Sequence, residues 1–284
     1  MNTKIIALFF CLQLFCIAKA QIPVISSDIY KDEQIFNSYL QKINHIKKSS
    51  PDSSLIQTAL FFLDTPYQAN TLEGNQDEQL IINLRGLDCM TFVETCMALT
   101  RTIRSDNPIF ETYKKELQTI RYRDGIIAGY TSRLHYTSDW IKDNQKKGII
   151  NDKTKAAGGI ILPLQINFMS TNPHLYAHLS THPEDVKKMR YIENSINKRT
   201  YYYIPKEEIK NIEKNIQTGD IICFVTSTKG LDISHLGIAY RKDNMLTFIH
   251  ASTKAQKVII NPESIADYCH SIKSNKGIII LKLL

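Results

Sequence analysis

Arg85-Gly86-Leu87-Asp88-Cys89-Met90-Thr91-Phe92-Val93-Glu94 runs from a polar turn straight into an amphipathic helix. Asp88 is a good N-cap residue. Beyond it, apolar side chains recur at Cys89, Phe92, Val93, Cys96, Met97 and Ile103, close to the spacing of one buried helix face. Cys89 therefore falls in the first turn of a core helix. There the unpaired N–H groups and the helix dipole favour an anion, so the local environment is expected to lower the thiol pKa and favour the reactive thiolate. A buried structural cysteine is the plainer reading of the same residue, and two histidines far downstream weigh against it.

Those histidines lie in a β-rich C-terminal part. Strands are expected at Ile221 to Thr226, His235 to Tyr240, Met245 to Ala251, Lys257 to Ile260 and Gly277 to Leu283. Alternation places Leu236, Ile238 and Tyr240 on one face and His235, Gly237 and Ala239 on the other. If Arg241-Lys242-Asp243-Asn244 forms a four-residue hairpin loop, Tyr240 faces Met245, and His235 and His250 sit directly opposite each other. A helix-start cysteine, a strand histidine and a second polar group to orient it are the parts of a cysteine hydrolase. His235 would take the thiol proton and return it to the leaving amine, and His250 would fix the His235 ring. The Cys89 backbone N–H is placed to donate to an oxyanion. A core histidine pair and a metal site remain open on the same residues.

Asp88-Cys89 before a helix, then Ser234-His235-Leu236-Gly237-Ile238, then Ile249-His250-Ala251, resembles the NlpC-type, papain-like cell-wall hydrolases. Thr65-Pro66-Tyr67 is similar to their motif upstream of the cysteine, which implies an oxyanion role for Tyr67. Pro66-Tyr67 with Thr71-Leu72-Glu73, the segment Asp88 to Glu94, and Ser132-Arg133-Leu134-His135-Tyr136 with Asp139-Trp140 resemble the N-acetylmuramyl-L-alanine amidase-like branch over roughly residues 50 to 283. Asp-Cys-Met-Thr stands here in place of the peptidases' Asp-Cys-Ser-Gly. The resemblance implies a papain-like α+β fold, with an antiparallel sheet packed on the Cys89 helix. It also implies cleavage of the amide between N-acetylmuramic acid and L-alanine without a cofactor. Ser132, Arg133, His135 and Tyr136 become candidates for substrate contact. Arg133 would grip a carboxylate bidentately; apart from the resemblance, an ordinary helix start with an exposed charge and buried aromatics is the plainer reading of these residues. The partner implied is peptidoglycan or a soluble muropeptide. The alternatives are a γ-D-glutamyl-diamino-acid endopeptidase, a zinc hydrolase and a wall-binding protein without catalysis.

The remaining chain narrows these classes. Residues 1–20 carry Lys4, an apolar run from Ile5 to Ile17 and the small-x-small site Ala18-Lys19-Ala20, as a cleavable leader does. Export follows, to the periplasm or beyond. The mature part, residues 21–284, is expected to form a single domain. Its formal charge falls from +7 to +5 once Lys4 and Lys19 are gone, a mild excess without a nucleic-acid motif. No second apolar stretch reads as a membrane span. Cys89 and Cys96 are separated by seven helical residues, roughly 10 Å, and cannot form a disulfide; Cys223 with Cys269 can. Cys96 lies two turns into its helix, where packing is expected.

Upstream, Ser26 to Leu63 is expected to be helical with a polar break at Lys47 to Ser54. Asn107-Pro108 opens a helix through Ile120, and Ser132 caps one that carries Trp140 and ends near Lys147-Gly148. Residues 149–215 read as an elaboration of the domain, with a strand at Tyr201-Tyr202-Tyr203. His174, His178 and His182 recur every four residues, a zinc-capable spacing on a helix, but Pro183 predicts a break and no acidic residue completes a motif. Helices first and strands afterwards place the chain in the α+β class.

Overall fold

Helices lead and strands follow along the chain in the computed structural model, which describes residues 24–284 except 44, 46, 48 and 74–76. The leader expected at residues 1–20 lies outside the described residues. A two-residue strand β1 (Val24–Ile25) pairs in parallel with β2 (Leu80–Ile81). Between them, α1 (Ile29–Ile43) precedes α2 (Pro51–Phe61), whose cap is the Ser50 side chain on the Ser53 N–H. Then come α3 (Cys89–Arg104) and α4 (Phe110–Arg121).

The expected helix at Ser132 starts later. Tyr130–Ser132 is a single 3-10 turn, and α5 spans Thr137–Lys146. Its cap comes from a distant bend: Asp232 Oδ2 accepts from the Ser138 N–H at 2.6 Å. The capping side chain lies 94 residues away, which is why the local pattern around Ser132 misplaces the start.

Residues 149–215 hold β3 (Ile150–Asp152), β4 (Ile160–Leu162), the short α6 (Phe168–Thr171) and α7 (Ala177–Thr181), α8 (Pro183–Asn197) and β5 (Tyr201–Pro205). Its strands belong to the main sheet. That sheet continues with β6 (Ile221–Thr226), β7 (Ile233–Lys242), β8 (Met245–Ser252), β9 (Lys257–Ile260) and, after the helix α9 (Ile265–Ser271), β10 (Asn275–Leu283). Its order is β4-β5-β10-β6-β7-β8-β9, with β3 also beside β10, and every pairing is antiparallel.

Strand alternation divides the core in two. Cys223, Val225, Leu236, Ile238, Ile249 and Ile279 face α3, whose Phe92, Val93, Cys96 and Met97 are buried against them. Ile222, Phe224, Ala239, Phe248 and Ile280 face the other way, under Ile265, Ala266 and Cys269 of α9. All four cysteines of the described residues are free, with Cys223 and Cys269 in different core clusters. Among the described residues no helix is long and apolar enough to cross a membrane.

The β7–β8 hairpin corrects the expected register. Lys242 pairs with Met245 and Ile238 with Ile249, so the loop is the two residues Asp243-Asn244, not four. Asp243 takes φ 53°, the left-handed conformation that tight hairpin turns need and Asp tolerates. His235 and His250 are therefore diagonal neighbours rather than opposite partners. The shift is two residues, an even number, so both rings keep the same face.

On the inner side of α3, Glu94 Oε2 accepts from Arg121 Nε at 2.7 Å with both side chains nearly sealed, and Arg121 also donates to the Ile81 carbonyl. Glu94 is thus a packed, paired carboxylate. Deleting one partner of such a pair leaves a bare buried charge. Glu94→Ala is expected to lower stability by about 3–5 kcal/mol, measured as a fall in the urea midpoint; a loss under about 1 kcal/mol would mean that Arg121 reaches water.

Candidate active site

Cys89 is the first residue of α3. The Asp88 side chain accepts from the Thr91 N–H at 2.8 Å, and the Thr91 hydroxyl accepts from the Asp88 N–H at 2.9 Å, a reciprocal capping box. The turn before it is tied down as well. Leu87 N–H donates to the Pro66 carbonyl, Gln68 N–H to the Leu87 carbonyl and Tyr67 N–H to the Gln256 carbonyl. Tyr67 is thereby brought beside Leu87, two residues from the cysteine, and against the β8–β9 turn. Arg85 is anchored to the buried Asp32 at 3.1 Å.

The thiol meets the sheet at β7. The β7–β8 ladder runs only as far as Ile238 and Ile249. Beyond it, the backbone N–H groups of Leu236, Met90 and Cys89 itself lie close enough to the Cys89 sulfur to favour its ionised form. These donors do not carry the balance. Burial, followed by the neighbouring Asp88 carboxylate, pushes the half-buried thiol up to about 12. The expectation of a lowered pKa is therefore corrected: the helix start is there, but its cap is an anion and the sulfur is out of water.

His235 and His250 meet on the opposite face, Nε2 to Nδ1, at 2.6 Å. Gly237 makes this possible. A Cβ there would stand 2.5 Å from Phe248 Cδ2 and 3.2 Å from His250 Cβ. The two rings are nearly perpendicular, with centroids 4.8 Å apart, over a shelf of Phe224, Phe248 and Tyr268. Burial and the adjacent His250 push His235 down to about 3. Burial pushes His250 down to about 4, partly offset by the Asn261 side chain. The resting site thus holds a neutral thiol and two neutral imidazoles. Leu236, whose backbone acts on the thiol, is the residue that follows His235 on β7.

A cavity of about 860 Å³ opens on the histidine side, lined among others by His235, His250, Ser252, Lys254, Asn261 and Tyr268. The cysteine does not line it and approaches from the α3 side. Sequence reasoning missed Asn261 and Tyr268. Tyr268 sits on the seven-residue α9, too short for a periodic signal, and Asn261 is marked only as the Asn-Pro step that ends β9.

The structure places Ser132, Arg133, His135 and Tyr136 in internal bonds. Ser132 Oγ donates to the Gly129 carbonyl and accepts from the Ala128 N–H. Arg133 is buried between Glu73 at 2.8 Å and Glu78 at 3.3 Å, donates to the Leu72 carbonyl and lies over the Tyr130 ring. His135 Nε2 is 2.9 Å from the Tyr130 carbonyl, and burial with Arg133 nearby holds its pKa well down. Tyr136 donates to Glu193 and accepts from the Met169 N–H. The histidine triplet does not share one helix. His174 lies in a separate 3-10 turn, while the His178 and His182 rings stack 4.0 Å apart and His178 bonds Asp185 at 2.7 Å. Among the described residues no group of three or more His, Cys, Asp or Glu is placed to hold a metal ion.

The α+β frame is that of an amidase-like peptidoglycan hydrolase family. The chain belongs to the AmiA-like, N-acetylmuramoyl-L-alanine amidase-like family, whose profile matches residues 57–278. Among solved structures, an N-acetylmuramoyl-L-alanine amidase from Bacteroides uniformis ATCC 8492 is 37% identical, with a TM-score of 0.79 over 82% of this chain and 99% of that one. A Bacteroides fragilis protein named as a candidate xylanase is 38% identical, with a TM-score of 0.75 over 80% and 100%. A Legionella pneumophila protein shares the fold at 24% identity and a TM-score of 0.68, over 89% and 95%. No curated protein matches the sequence.

A thiol raised to about 12 is expected to be alkylated slowly by iodoacetamide at pH 7, and its rate should climb with pH through 10. The sealed Cys96, Cys223 and Cys269 should not label in the native protein. Peptide mapping of labelled samples checks both; a rate plateau between pH 5 and 8 would reveal a standing thiolate instead.

Proposed function

We propose that the chain is a papain-like, NlpC-type cysteine amidase that hydrolyses the amide between N-acetylmuramic acid and L-alanine. The observation that carries this reading is the 2.6 Å His235–His250 bond, on the strand whose next backbone N–H, at Leu236, meets the Cys89 thiol.

In this reading Cys89 Sγ attacks the lactyl carbonyl carbon while its proton passes to His235. The tetrahedral oxyanion is held by the Cys89 N–H, assisted by the Tyr67 hydroxyl. Collapse breaks the C–N bond, His235 protonates the departing alanine nitrogen, and a thioester to the muramyl lactyl group remains. Water, deprotonated by His235, then attacks that thioester and frees the muramic acid carboxylate and the thiol. Since both partners start neutral, proton transfer accompanies attack instead of preceding it. His250 holds the His235 ring throughout, and no cofactor is required.

The segment Ser132 to Tyr136 does not line the histidine cavity, and Ser132 Oγ, the Arg133 guanidinium, His135 Nε2 and the Tyr136 hydroxyl are held by other residues of the chain, so this reading gives the segment no grip on the substrate. A glycosidase reading, prompted by the xylanase label of one neighbour, requires two facing carboxylates, and the histidine cavity has only Glu263 among the described residues. The leader at residues 1–20 suits export to the periplasm, where peptidoglycan or its fragments would be met.

Mass spectrometry of a defined disaccharide-tetrapeptide tests the reading. The wild type should release intact tetrapeptide and free disaccharide, and Cys89→Ala should release neither. A disaccharide still carrying part of the stem would mark the endopeptidase instead, and activity that persists in Cys89→Ala would remove the cysteine from the mechanism. The acid limb is a second measure. The imidazoles act as base only when neutral, so activity is lost as pH falls through their folded values. The limb in kcat/KM is expected at about pH 4, where His250 first protonates, well below the roughly 6.5 of a free imidazole.

A further inference from the structure

The His235–His250 bond has a direction, and what sets it lies outside the pair. One of the two facing nitrogens must donate and the other accept. If His250 Nδ1 carries the proton, His235 is forced to hold its own proton on Nδ1 and has no free base there. If His235 Nε2 carries it, Nδ1 is left unprotonated. The tautomer of His250 decides which occurs, and so attention falls on its far nitrogen, Nε2. That atom is fully buried, without a hydrogen bond of good geometry. The polar side chain nearest in effect is that of Asn261, which favours the protonated His250 ring and whose backbone is bonded to Phe248, two residues before His250 on the same face of β8.

Asn261 is itself held with little freedom. It is buried to 6% exposure and lines the same cavity as the two histidines. Its backbone N–H donates to the Phe248 carbonyl at 2.8 Å, and its carbonyl accepts from the Thr247 hydroxyl at 2.7 Å. Its Nδ2 donates to the Glu263 carbonyl at 3.0 Å. A peptide carbonyl can only accept, so the amide cannot flip without setting oxygen against oxygen. Oδ1 is therefore the end presented to His250.

We propose that Asn261 is a positioning residue that fixes the tautomers of both histidines. Its Oδ1 accepts from His250 Nε2–H, His250 Nδ1 accepts from His235 Nε2–H, and His235 Nδ1 is kept free as the base. The direction of the whole relay starts at the Glu263 carbonyl, an atom with no proton to give. During attack, His235 gains the thiol proton on Nδ1 and keeps the one on Nε2; no other proton in the relay moves. The catalytic consequence rests on the cysteine amidase reading, whereas the tautomers belong to the resting protein.

The test is therefore nitrogen NMR of protein labelled with 15N-histidine, alongside kinetics. In the wild type both histidines should give protonated Nε2 and unprotonated Nδ1 signals. Asn261→Leu should mix or reverse these tautomers and lower kcat about 10- to 100-fold, the usual cost of losing a group that orients a functional histidine, with KM within about twofold. Asn261→Asp keeps an acceptor of the same shape toward His250 while losing the Nδ2 donation to the Glu263 carbonyl. It should retain the Nε2–H tautomers and activity above neutral pH, with the acid limb moved upward because a carboxylate favours the charged ring. Protonated Nδ1 on His250 in the wild type would overturn the proposal, as would unchanged tautomers in a folded Asn261→Leu. If the Leu variant does not fold, the wild-type and Asp spectra decide. A wild type with the expected tautomers and no turnover supports Asn261 and overturns the amidase reading.

Discussion

The reciprocal bonds between Asp88 and Thr91 fix where α3 begins, and much of the site follows from that point. They stop the polar turn and start the helix at Cys89, so the sulfur sits where the first orphan N–H groups point. The turn leading in is stitched to Pro66 and Gln68, and the strip carrying Tyr67 is stitched to the β8–β9 turn. The same helix drives its apolar face into the sheet and buries Glu94 against Arg121. The thiol is thus located by a helix whose position is determined at both its cap and its flank, rather than by a mobile loop.

The histidines are located by a different device. Their face of the sheet is aromatic, and Gly237 removes the one side chain that would keep Phe248 and His250 away. Packing two imidazoles into an apolar setting disfavours charge on either, and like-charge repulsion adds to it. Neutrality has a mechanistic meaning. A salt-like thiolate–imidazolium pair needs solvation or counter-charges, and Asp88 is placed to oppose the thiolate. On the proposed mechanism, such an arrangement favours a proton that moves when the substrate carbonyl arrives to absorb the developing charge.

What could be read from the sequence was what is local. The start of α3 was legible because an Asp cap precedes an apolar stripe. Strands β6 to β8 were legible because apolar stretches rich in branched and aromatic residues, bounded by polar turns, have the length and composition of buried strands. The shared face of His235 and His250 was legible from the two-residue period of a strand, even though Arg241-Lys242 looked like loop and are strand. A polar pair at the end of a long hairpin carries no mark of being extended. The start of α5 was not legible because Asp232 caps it from the bend before β7, far along the chain. Arg133 looked like an exposed charge because Glu73 and Glu78 reach it only through the fold. The thiol pKa was half legible: the dipole follows from the helix, and the opposing Asp88 stood next to it in the sequence, but burial did not.

The raised thiol has a consequence for durability. Peroxide and foreign disulfides attack thiolates, so their rates follow the ionised fraction. At a pKa of about 12 that fraction is about one part in 10⁵ at neutral pH. Cys89 can then remain reduced in surroundings that oxidise ordinary surface cysteines, while the other three thiols are protected by burial.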